Sequence, residues 1–523
     1  MPSFSSFQFS KEDFPKIKSS DFGVNWPVVY LIENSKEIYV GQTINAYFRS
    51  KQHFENPDRR RLKNIHLISD EEYNVSAALD IESLLIQYMS ADGRFILQNG
   101  NKGLRNHNYF DRQKYQAKFE IIWDELRKIS FANQSLVDIK NSDIFKYSPY
   151  KALSPDQQIV AEQIVDKVER NISQAFLVHG GPGTGKTILA TYLVKRLVET
   201  PSLKEKRIGL VVPMTSLRNT LKKVFKHVPG LKPLMVIGPS EVVSGYDILI
   251  VDEAHRLRRR KNITNYQSFD SINRKMKLGN IGTELDWILK CSKSQIFFYD
   301  ENQSVRPSDV PASALYNLKA EEFYLQNQLR ISVGVEGEKY ITFVQDLFDM
   351  RASAKQHFSA YDFRIYEDIQ SMVRDIKKLD EERHLARLVS GLAWPWVSKK
   401  NPSKHDIEIE GVKLKWNSIN HNWVHSKNAI NEVGCIHTVQ GYDLNYAGVI
   451  IGPELSYDFG KKQFVIYPEK YTDMNGRRGI EDPKELERYI LNVYKTLLTR
   501  GIEGTFVYIV DENLRKYFKT LVK

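Results

Sequence analysis

The stretch HGGPGTGKT, residues 179–187, constrains the fold of this chain more than any other feature. It fits the pattern G-x-x-x-x-G-K-T, with the apolar run AFLV before it and the helical segment ILATYLVKRLV after it. The pattern requires this strand, loop and helix context, in which glycine amides and the helix N-terminus surround a phosphate. The stretch therefore predicts a nucleotide-binding loop in a parallel α/β sheet.

Each residue of this loop has an expected role in binding ATP with Mg²⁺ or Mn²⁺. Lys186 would reach the β- and γ-phosphates, and the Thr187 hydroxyl would bind the metal ion. The run ILIVDEAH supplies Asp252 as a second metal ligand and Glu253 to polarise water, at the carboxyl end of a buried strand. The expected phosphate loop is Gly180, Gly181, Pro182, Gly183, Thr184, Gly185, Lys186 and Thr187.

Short β-rich runs alternate with helix-length segments from residue 151 onward, a pattern typical of parallel sheets covered by helices. About 370 residues suit two such sheets. We therefore expect an α/β chain of four parts. They are a small α/β domain over residues 1–104, a helical connector over 105–150, a first P-loop domain over 151–320 and a second sheet domain over 321–523.

The bulk composition is that of an ordinary globular protein, with 41% hydrophobic and 27% charged residues. The N-terminal segment has no signal-peptide pattern, and no apolar run reaches about 18 residues, so we expect a cytoplasmic protein without membrane contact. Two distant cysteines, Cys291 and Cys435, exclude a Cys-rich zinc site.

The net charge of +11 is compatible with a nucleic-acid partner. Residues 1–104 carry 12 basic and 13 acidic residues, so the surplus lies in the remainder of the chain. In residues 255–277, eight basic side chains accompany one acid, Asp270. This run is either a solvated loop or a track that binds phosphates, and the sequence leaves both open.

The motifs after residue 153 resemble, in order, those of superfamily 1 helicases and translocases. LSPDQQ resembles the adenine-contacting Q motif with Gln157, and FFYDENQS resembles motif III with Gln303 near the γ-phosphate. LQNQLRIS resembles motif IV with Arg330, and YKTLLTRG resembles motif VI with Arg500. VVPMTSLRNT resembles motif Ia, and IHTVQGYDLNYAGVII resembles motif V. Motifs V and VI are especially similar to those of the Schlafen-like ATPase group.

This resemblance implies two RecA-like parallel-sheet domains with ATP between them. It assigns Arg330 and Arg500 to neutralising charge on the γ-phosphoryl group, which suits a planar guanidinium. Closure and reopening of the cleft during hydrolysis would then drive stepping along a strand.

The stretch VVYLIENSKEIYVGQT, residues 28–43, reads as two short strands around the turn Asn34-Ser35. A hairpin with two tyrosines is structural in most proteins. This one resembles the GIY-YIG nuclease family, with the signatures Val28-Val29-Tyr30 and Tyr39-Val40-Gly41. Two valines replace the Gly-Ile of the first signature, and a valine replaces the Ile of the second.

Further positions extend the resemblance to this nuclease family. Arg49 stands ten residues after Tyr39, and His53 follows one helical turn later. Glu82 matches the family's metal-binding glutamate, and Asn99 its late asparagine, with Asn101 as an alternative register. The resemblance implies a divalent metal ion on Glu82, a phosphate contact from Arg49, and Tyr30, Tyr39 or His53 to activate or orient water.

Together these features predict an ATP-dependent translocase or helicase-like motor coupled to a metal-dependent endonuclease. By fold-level analogy it would cleave foreign DNA such as phage DNA in bacterial defence, with DNA favoured over RNA and a homo-oligomer or an accessory defence subunit as further partners. Two alternatives stay open: a DNA repair or recombination enzyme, and an ATP-switched nucleic-acid sensor whose nuclease fold does not cut.

Overall fold

The computed structural model describes residues 2–99, 109–170, 173–242, 245–331 and 335–522. Asn101, the alternative to Asn99, lies outside these residues. The chain divides into two compact units. The first is Met1–Asp166 with Thr191–Glu205 and Leu221–Met235, and the second is Lys167–Ala190 with Lys206–Thr220 and Val236–Lys523. Within the described ranges, no helix is both long enough and apolar enough to cross a membrane.

The first unit contains a five-stranded sheet with the order β1-β4-β2-β3-β5. Its strands are β1 Ser3–Gln8, β2 Val28–Glu33, β3 Glu37–Thr43, β4 Asn64–Ser69 and β5 Ile96–Leu97. The predicted hairpin is β2 and β3, which pair antiparallel. Its turn is held by Asn34, whose side-chain oxygen accepts hydrogen bonds from the backbone amides of Lys36 and Glu37.

The helices of this unit cover the sheet and form the connector. They are α1 Phe14–Ser19, α2 Ala46–Glu55, α3 Pro57–Arg60, α4 Val75–Asp92, α5 Arg112–Lys128, α6 Leu136–Asn141 and α7 Asp143–Lys146. Helix α4 begins where the Asn74 side chain caps the amide of Ala77, and it ends at Gly93, whose φ is 70°. Tyr88 of α4 packs against Phe119 and Trp123 of α5, so the connector helix shares a core with α4.

The first sheet of the second unit is parallel throughout, with the order β11-β6-β10-β9-β7-β8. Its strands are β6 Ala175–Gly180, β7 Ile208–Val211, β8 Val236–Ile237, β9 Tyr246–Val251, β10 Ser292–Tyr299 and β11 Glu321–Leu325. This sheet therefore continues beyond the predicted boundary at residue 320. The reason is that β11 is an edge strand with exposed polar positions, which lacks the continuous apolar run of a central strand.

The second sheet of this unit has the order β12-β20-β17-β13-β16-β15-β14, with only the β14 and β15 pair antiparallel in the described residues. Its strands are β12 Asp362–Tyr366, β13 Ala386–Ser390, β14 Ile407–Ile409, β15 Val412–Trp416, β16 Glu432–Cys435, β17 Leu444–Ile451 and β20 Gly501–Ile509. A separate hairpin joins β18 Leu455–Asp458 to β19 Gln463–Ile466. The two predicted parallel sheets are thus confirmed.

Further helices lie along the rest of the chain. They are α8 Pro155–Arg170, α9 Lys186–Glu199, α10 Thr215–His227, α11 Tyr266–Lys275, α12 Glu284–Cys291, α13 Ala312–Tyr316, α14 Val335–Phe348, α15 Ile369–Arg383, α16 Ile436–Val439, α17 Met474–Arg477, α18 Pro483–Leu498 and α19 Glu512–Leu521.

Candidate active sites and nucleic-acid cleft

The predicted phosphate loop connects the end of β6 to the first residue of α9. Gly183 and Gly185 have φ values of 81° and 74°, which L side chains rarely adopt, so the two glycines permit the tight path of the loop. Lys186 folds back onto this loop, and its Nζ donates to the carbonyl oxygens of Gly180 at 2.5 Å and Gly181 at 2.9 Å. Phosphate oxygens would replace these carbonyls as partners of Lys186.

Thr187 lies at the start of α9 and meets Asp252 at the carboxyl end of β9, as a magnesium site requires. The Thr187 hydroxyl donates to Oδ2 of Asp252 at 2.7 Å. Asp252 is fully buried, and its Oδ1 makes no hydrogen bond to any described residue. Burial and the adjacent charge of Glu253 raise the pKa of Asp252, a cost that a cation would relieve. These oxygen donors therefore fit Mg²⁺.

Glu253 follows in a strained backbone conformation, with φ of 54°. Its Oε2 lies 2.9 Å from Nε2 of the buried His255. Although burial opposes ionisation, His255 and Lys186 outweigh it and hold the pKa of Glu253 below its usual range. Glu253 is therefore a charged carboxylate beside the His255 ring, a neighbour that the sequence analysis missed.

A chain of hydrogen bonds leads from the phosphate loop to the second sheet. Lys186 Nζ lies 3.3 Å from Oδ2 of Asp300, and the same oxygen accepts from the Gln303 side chain at 2.6 Å. Gln303 Oε1 then accepts from the guanidinium of Arg500 at 3.2 Å. Arg500 is only 2% exposed, so the structure brings this predicted arginine into the buried site.

Arg330 lies close to the loop but is engaged elsewhere. Its Nε donates to Asp443 at 2.5 Å and its Nη1 to the carbonyl oxygen of Thr499 at 2.9 Å. The segment before it is tied to the loop, because the Gln328 side chain donates to the carbonyl oxygen of Pro182 at 2.6 Å. The sequence gives no sign that Gln328, rather than Gln326 or Asn327, would contact the loop, so this contact was not predicted.

Gln157 lies in the first turn of α8 and is 1% exposed. Its side-chain oxygen accepts a hydrogen bond from the backbone amide of Ser154 at 3.1 Å. The predicted contact with adenine stays a prediction.

A cleft of about 890 Å³ runs between segments of the two parallel sheets in the second unit. It is lined by the predicted motif Ia, including Ser216, and by Thr438 of the predicted motif V. Its cationic side chains are Arg218, Arg256, Arg258, Arg306 and Arg477. The lining also contains Asp309, Glu469 and Asp473, so arginines outnumber acids by five to three. An excess of positive charge along a groove suits a surface that binds a phosphate backbone.

Two guanidinium nitrogens in this cleft, Nε of Arg256 and Nε of Arg306, lack hydrogen bonds to the described residues. Burial and the neighbouring Arg256 lower the pKa of Arg306, and an anion bound between these side chains would reverse that effect. Phosphate oxygens supply both the charge and the acceptors.

The aromatic wall of the cleft comes from the segment AWPW after β13. Trp394 and Trp396 both line the cleft. Both also pack against Trp416, whose ring centroid lies 6.4 Å from that of Trp394 and 6.3 Å from that of Trp396. The sequence carried a signal for this wall, since two tryptophans flank a proline at the carboxyl end of a buried strand. Such rings can stack with unpaired bases.

The basic run over residues 255–277 is divided between the two interpretations. Arg256 and Arg258 line the cleft, where they also pair with Asp309 at 3.1 Å and Glu284 at 2.6 Å. Arg260 instead pairs with Asp270 at 2.6 Å. Part of the run therefore faces the cleft, and part is a locally neutralised loop.

In the first unit, the two tyrosines of the hairpin lie beside one another, with ring centroids 6.2 Å apart. Gly41 lies directly under Tyr30, because a Cβ atom at Gly41 would come within 2.2 Å of the Tyr30 hydroxyl. The glycine of the second signature is thus needed to seat the tyrosine of the first. Asn99 fixes the same strand, since its side chain both donates to and accepts from the backbone of Val40.

Arg49 and His53 of α2 meet at the hydroxyl of Tyr30. His53 Nε2 lies 2.6 Å from this oxygen, and Arg49 Nε donates to it at 3.4 Å. Arg59 of α3 contacts His53 Nδ1 at 2.5 Å and stacks 3.8 Å over the Tyr39 ring. Both nitrogens of His53 are therefore engaged, and its expected role in activating or orienting water stays a prediction.

Glu82 of α4 belongs to the same cluster. Burial raises its pKa to about 7, although the charge of Arg49 and the backbone amide of Gln42 act in the opposite direction. The described residues contain no cluster of three or more histidine, cysteine, aspartate or glutamate side chains arranged for a metal ion. A metal ion on Glu82 would therefore take its other ligands from water and phosphate, which is common for Mg²⁺.

A family model covers most of the second unit, together with two segments of the first. The family model described as Schlafen group 3, DNA/RNA helicase domain, matches residues 173–511, more than half of the chain. The chain belongs to the Schlafen group 3 helicase family. This Schlafen group 3 region contains the phosphate loop, the Asp300–Gln303–Arg500 chain of hydrogen bonds and the cleft, and it is a helicase-like P-loop ATPase.

An uncharacterized protein of Saccharomyces cerevisiae is 25% identical to this Schlafen group 3 chain over 423 residues, covering 70% of this chain and 90% of that protein. Among solved structures, the Pif1 helicase from Bacteroides in complex with ADP-AlF3 and ssDNA is 12% identical with a TM-score of 0.26, covering 68% of this chain and 92% of that one. Pif1 helicase from Candida albicans is 10% identical with a TM-score of 0.28, covering 70% and 98%.

Proposed function

We propose that this protein is an ATP-driven motor on nucleic acid whose first unit is a metal-dependent endonuclease. The motor function is supported by a series of hydrogen bonds that runs from Lys186 through Asp300 and Gln303 to Arg500. It joins the phosphate loop on one sheet to an arginine on the other. A γ-phosphate that recruits Lys186 must rearrange these hydrogen bonds, and the position of the second sheet then follows the nucleotide state.

In the ATPase site, each residue has a distinct task. Lys186 and the loop amides bind the phosphates, Glu253 orients and deprotonates the attacking water, and Arg500 stabilises charge on the transferred group. Magnesium, held by Thr187 and Asp252, would supply further charge neutralisation between the phosphates. Arg330 forms an ion pair with Asp443. When the two sheets close around ATP, Arg330 must leave Asp443 to bind phosphate oxygens.

The cleft is the proposed path of the nucleic-acid strand. Its arginines bind phosphates, and Trp394 and Trp396 stack with bases, a division of labour that fits a strand with unpaired bases. We take DNA as the substrate of the coupled reaction, although phosphate and base contacts of this kind also suit RNA.

In the nuclease site, the side chains surround a phosphodiester. Arg49 binds a non-bridging oxygen, Tyr30 and Tyr39 orient the phosphate and the attacking water, and Asn99 holds the strand that carries Tyr39. A divalent metal ion on Glu82 would supply Lewis-acid stabilisation of the charge that develops on phosphorus. A cytoplasmic location, self-association and a role against foreign DNA such as phage DNA extend this proposal by analogy.

The proposal is tested by ATP turnover and cleavage assays on the purified full chain. Single-stranded DNA or RNA should stimulate ATP hydrolysis in the wild type, and Lys186→Ala should abolish it. Cleavage in Mg²⁺ or Mn²⁺ should be lost in Glu82→Gln, which keeps the stimulated ATPase. A wild-type chain that neither hydrolyses ATP with nucleic acid nor cleaves any substrate would refute the proposal.

A further inference from the structure

His53 is held between two partners in the interior of the first unit. Its Nε2 lies 2.6 Å from the Tyr30 hydroxyl, and its Nδ1 lies 2.5 Å from Nη1 of Arg59. His53 is 1% exposed and Tyr30 is 2% exposed, so water does not compete for these contacts. The arrangement therefore has a single consistent assignment of hydrogens.

A guanidinium can only donate hydrogen bonds and is not deprotonated in proteins. Because Arg59 donates to Nδ1, that nitrogen must carry the lone pair of a neutral imidazole. The hydrogen of neutral His53 then lies on Nε2, which donates to Tyr30. Burial and the charges of Arg59 and Arg49 lower the pKa of His53 to about 3, so the ring is neutral at ordinary pH.

This tautomer of His53 determines how the Tyr30 hydroxyl is hydrogen-bonded. Its hydroxyl oxygen accepts from His53 and, at 3.4 Å, from Nε of Arg49. A phenolic oxygen that accepts twice has its own O–H left for a third partner. The O–H of Tyr30 is thus left as a donor for a substrate oxygen.

We propose that Arg59 is a positioning residue, which fixes the tautomer of His53 and through it the direction in which Tyr30 donates. This inference rests on the proposed nuclease function of the first unit. Arg59 makes no hydrogen bond to Tyr30, and it acts through His53 and through its stacking on Tyr39.

The two arginines that follow Arg59 do not contact His53 through a hydrogen bond, and Arg60 provides a matched control for Arg59. Arg60 lies over the Phe54 ring at 5.1 Å, and Arg61 pairs with Glu37 at 2.8 Å. If these arginines only bound phosphate, substitution of Arg59 and substitution of Arg60 would have similar effects. If Arg59 positions His53, only substitution of Arg59 changes the state of the His53 ring.

Nitrogen NMR on the full chain with ¹⁵N-labelled histidine tests the tautomer without any activity. The chain has 12 histidines, and the signal missing from His53→Gln identifies His53. The wild type should show a protonated Nε2 and an unprotonated, hydrogen-bonded Nδ1. Arg59→Leu should lose this single form, whereas Arg60→Leu should keep it, and Arg59→Lys should restore it because lysine also donates. A wild-type ring protonated on Nδ1, or an unchanged spectrum in Arg59→Leu, would overturn the inference.

Cleavage kinetics provide the second measurement. Arg59→Leu should lower kcat of cleavage about tenfold to hundredfold at unchanged KM, as is common for residues that orient a reacting group. A higher, salt-dependent KM with unchanged kcat would show a phosphate contact and would contradict the positioning role. If Glu82→Gln cuts as fast as the wild type, or the wild type does not cut, the proposed nuclease fails, and the NMR result still decides the tautomer.

Discussion

The guanidinium of Arg500 lies 3.2 Å from the side-chain oxygen of Gln303, and this contact joins the two parallel sheets of the second unit at the nucleotide site. Arg500 follows α18 and precedes β20 of the second sheet, whereas Gln303 follows β10 of the first. Gln303 also donates to Asp300, the carboxylate next to Lys186. The contact therefore connects the phosphate loop with the second sheet of the unit.

Replacing Arg500 should abolish turnover without abolishing nucleotide binding. Arg500→Ala removes a guanidinium that would stabilise charge in the transition state, and the loss should be about 10³-fold or more in kcat. Steady-state ATP hydrolysis with nucleic acid, together with fluorescent nucleotide binding, measures the two effects. Arg488→Ala, an exposed arginine on α18, is the matched control. Equal losses in both variants would contradict the assigned role.

Truncating the aromatic wall of the cleft should weaken nucleic-acid binding. Trp394→Ala and Trp396→Ala each remove a ring that stacks with a base, at a cost of about 1–3 kcal/mol, or roughly five- to hundredfold in Kd. Fluorescence anisotropy with a labelled single strand measures this cost. Phe459→Ala, at the exposed turn of the β18 and β19 hairpin, should bind like the wild type. Unchanged Kd in both tryptophan variants would place the strand elsewhere.

Metal binding in the first unit should depend on pH through Glu82. Its pKa of about 7 means that the carboxyl is protonated below that pH, and a protonated carboxyl does not bind a metal ion. The affinity for Mn²⁺ should therefore rise about tenfold per pH unit up to about pH 7 and then level off. Calorimetry on the nucleotide-free chain measures it, and Glu82→Gln should bind no Mn²⁺ at this site. A flat profile for the wild type would contradict the assignment.

Adding a methyl group at Gly41 should disturb the nuclease site selectively. The Cβ atom of Gly41→Ala would press on the Tyr30 ring and hydroxyl, so cleavage should be lost, and overpacking should cost about 1–3 kcal/mol of stability. Gly245→Ala, where a Cβ atom meets open space, is the control. Cleavage, ATPase and urea unfolding assays separate the effects. A Gly41→Ala chain that cuts at the wild-type rate would show that Tyr30 does not act there.

The parts of the sites that follow from the sequence are those whose geometry is local. The phosphate loop needs only its glycines, Lys186 and Thr187 in one strand, loop and helix. Asp252 ends a buried apolar strand, so its position at the carboxyl edge of a parallel sheet follows from the same pattern. Tyr30 and Tyr39 come together because two adjacent strands form a hairpin.

The remaining residues depend on contacts that no local pattern specifies. Arg59 reaches His53 because α3 follows α2 across a short turn, and Gln328 reaches Pro182 across a distance of many residues in the sequence. His255 is buried beside Glu253, although a histidine after Asp-Glu-Ala gives no sign of burial. The edge strand β11 was missed for a similar reason, since exposed alternate positions hide its pairing with β6.

The central claim is that ATP hydrolysis in the second unit licenses cleavage by the first, and one comparison tests it most directly. The wild type, Glu82→Gln and Lys186→Ala are incubated with linear, circular and single-stranded DNA and RNA in Mg²⁺, with and without ATP. We predict ATP-dependent cleavage by the wild type only, with nucleic-acid-stimulated ATPase retained in Glu82→Gln and lost in Lys186→Ala. Cleavage by Lys186→Ala at the wild-type rate would contradict this coupling.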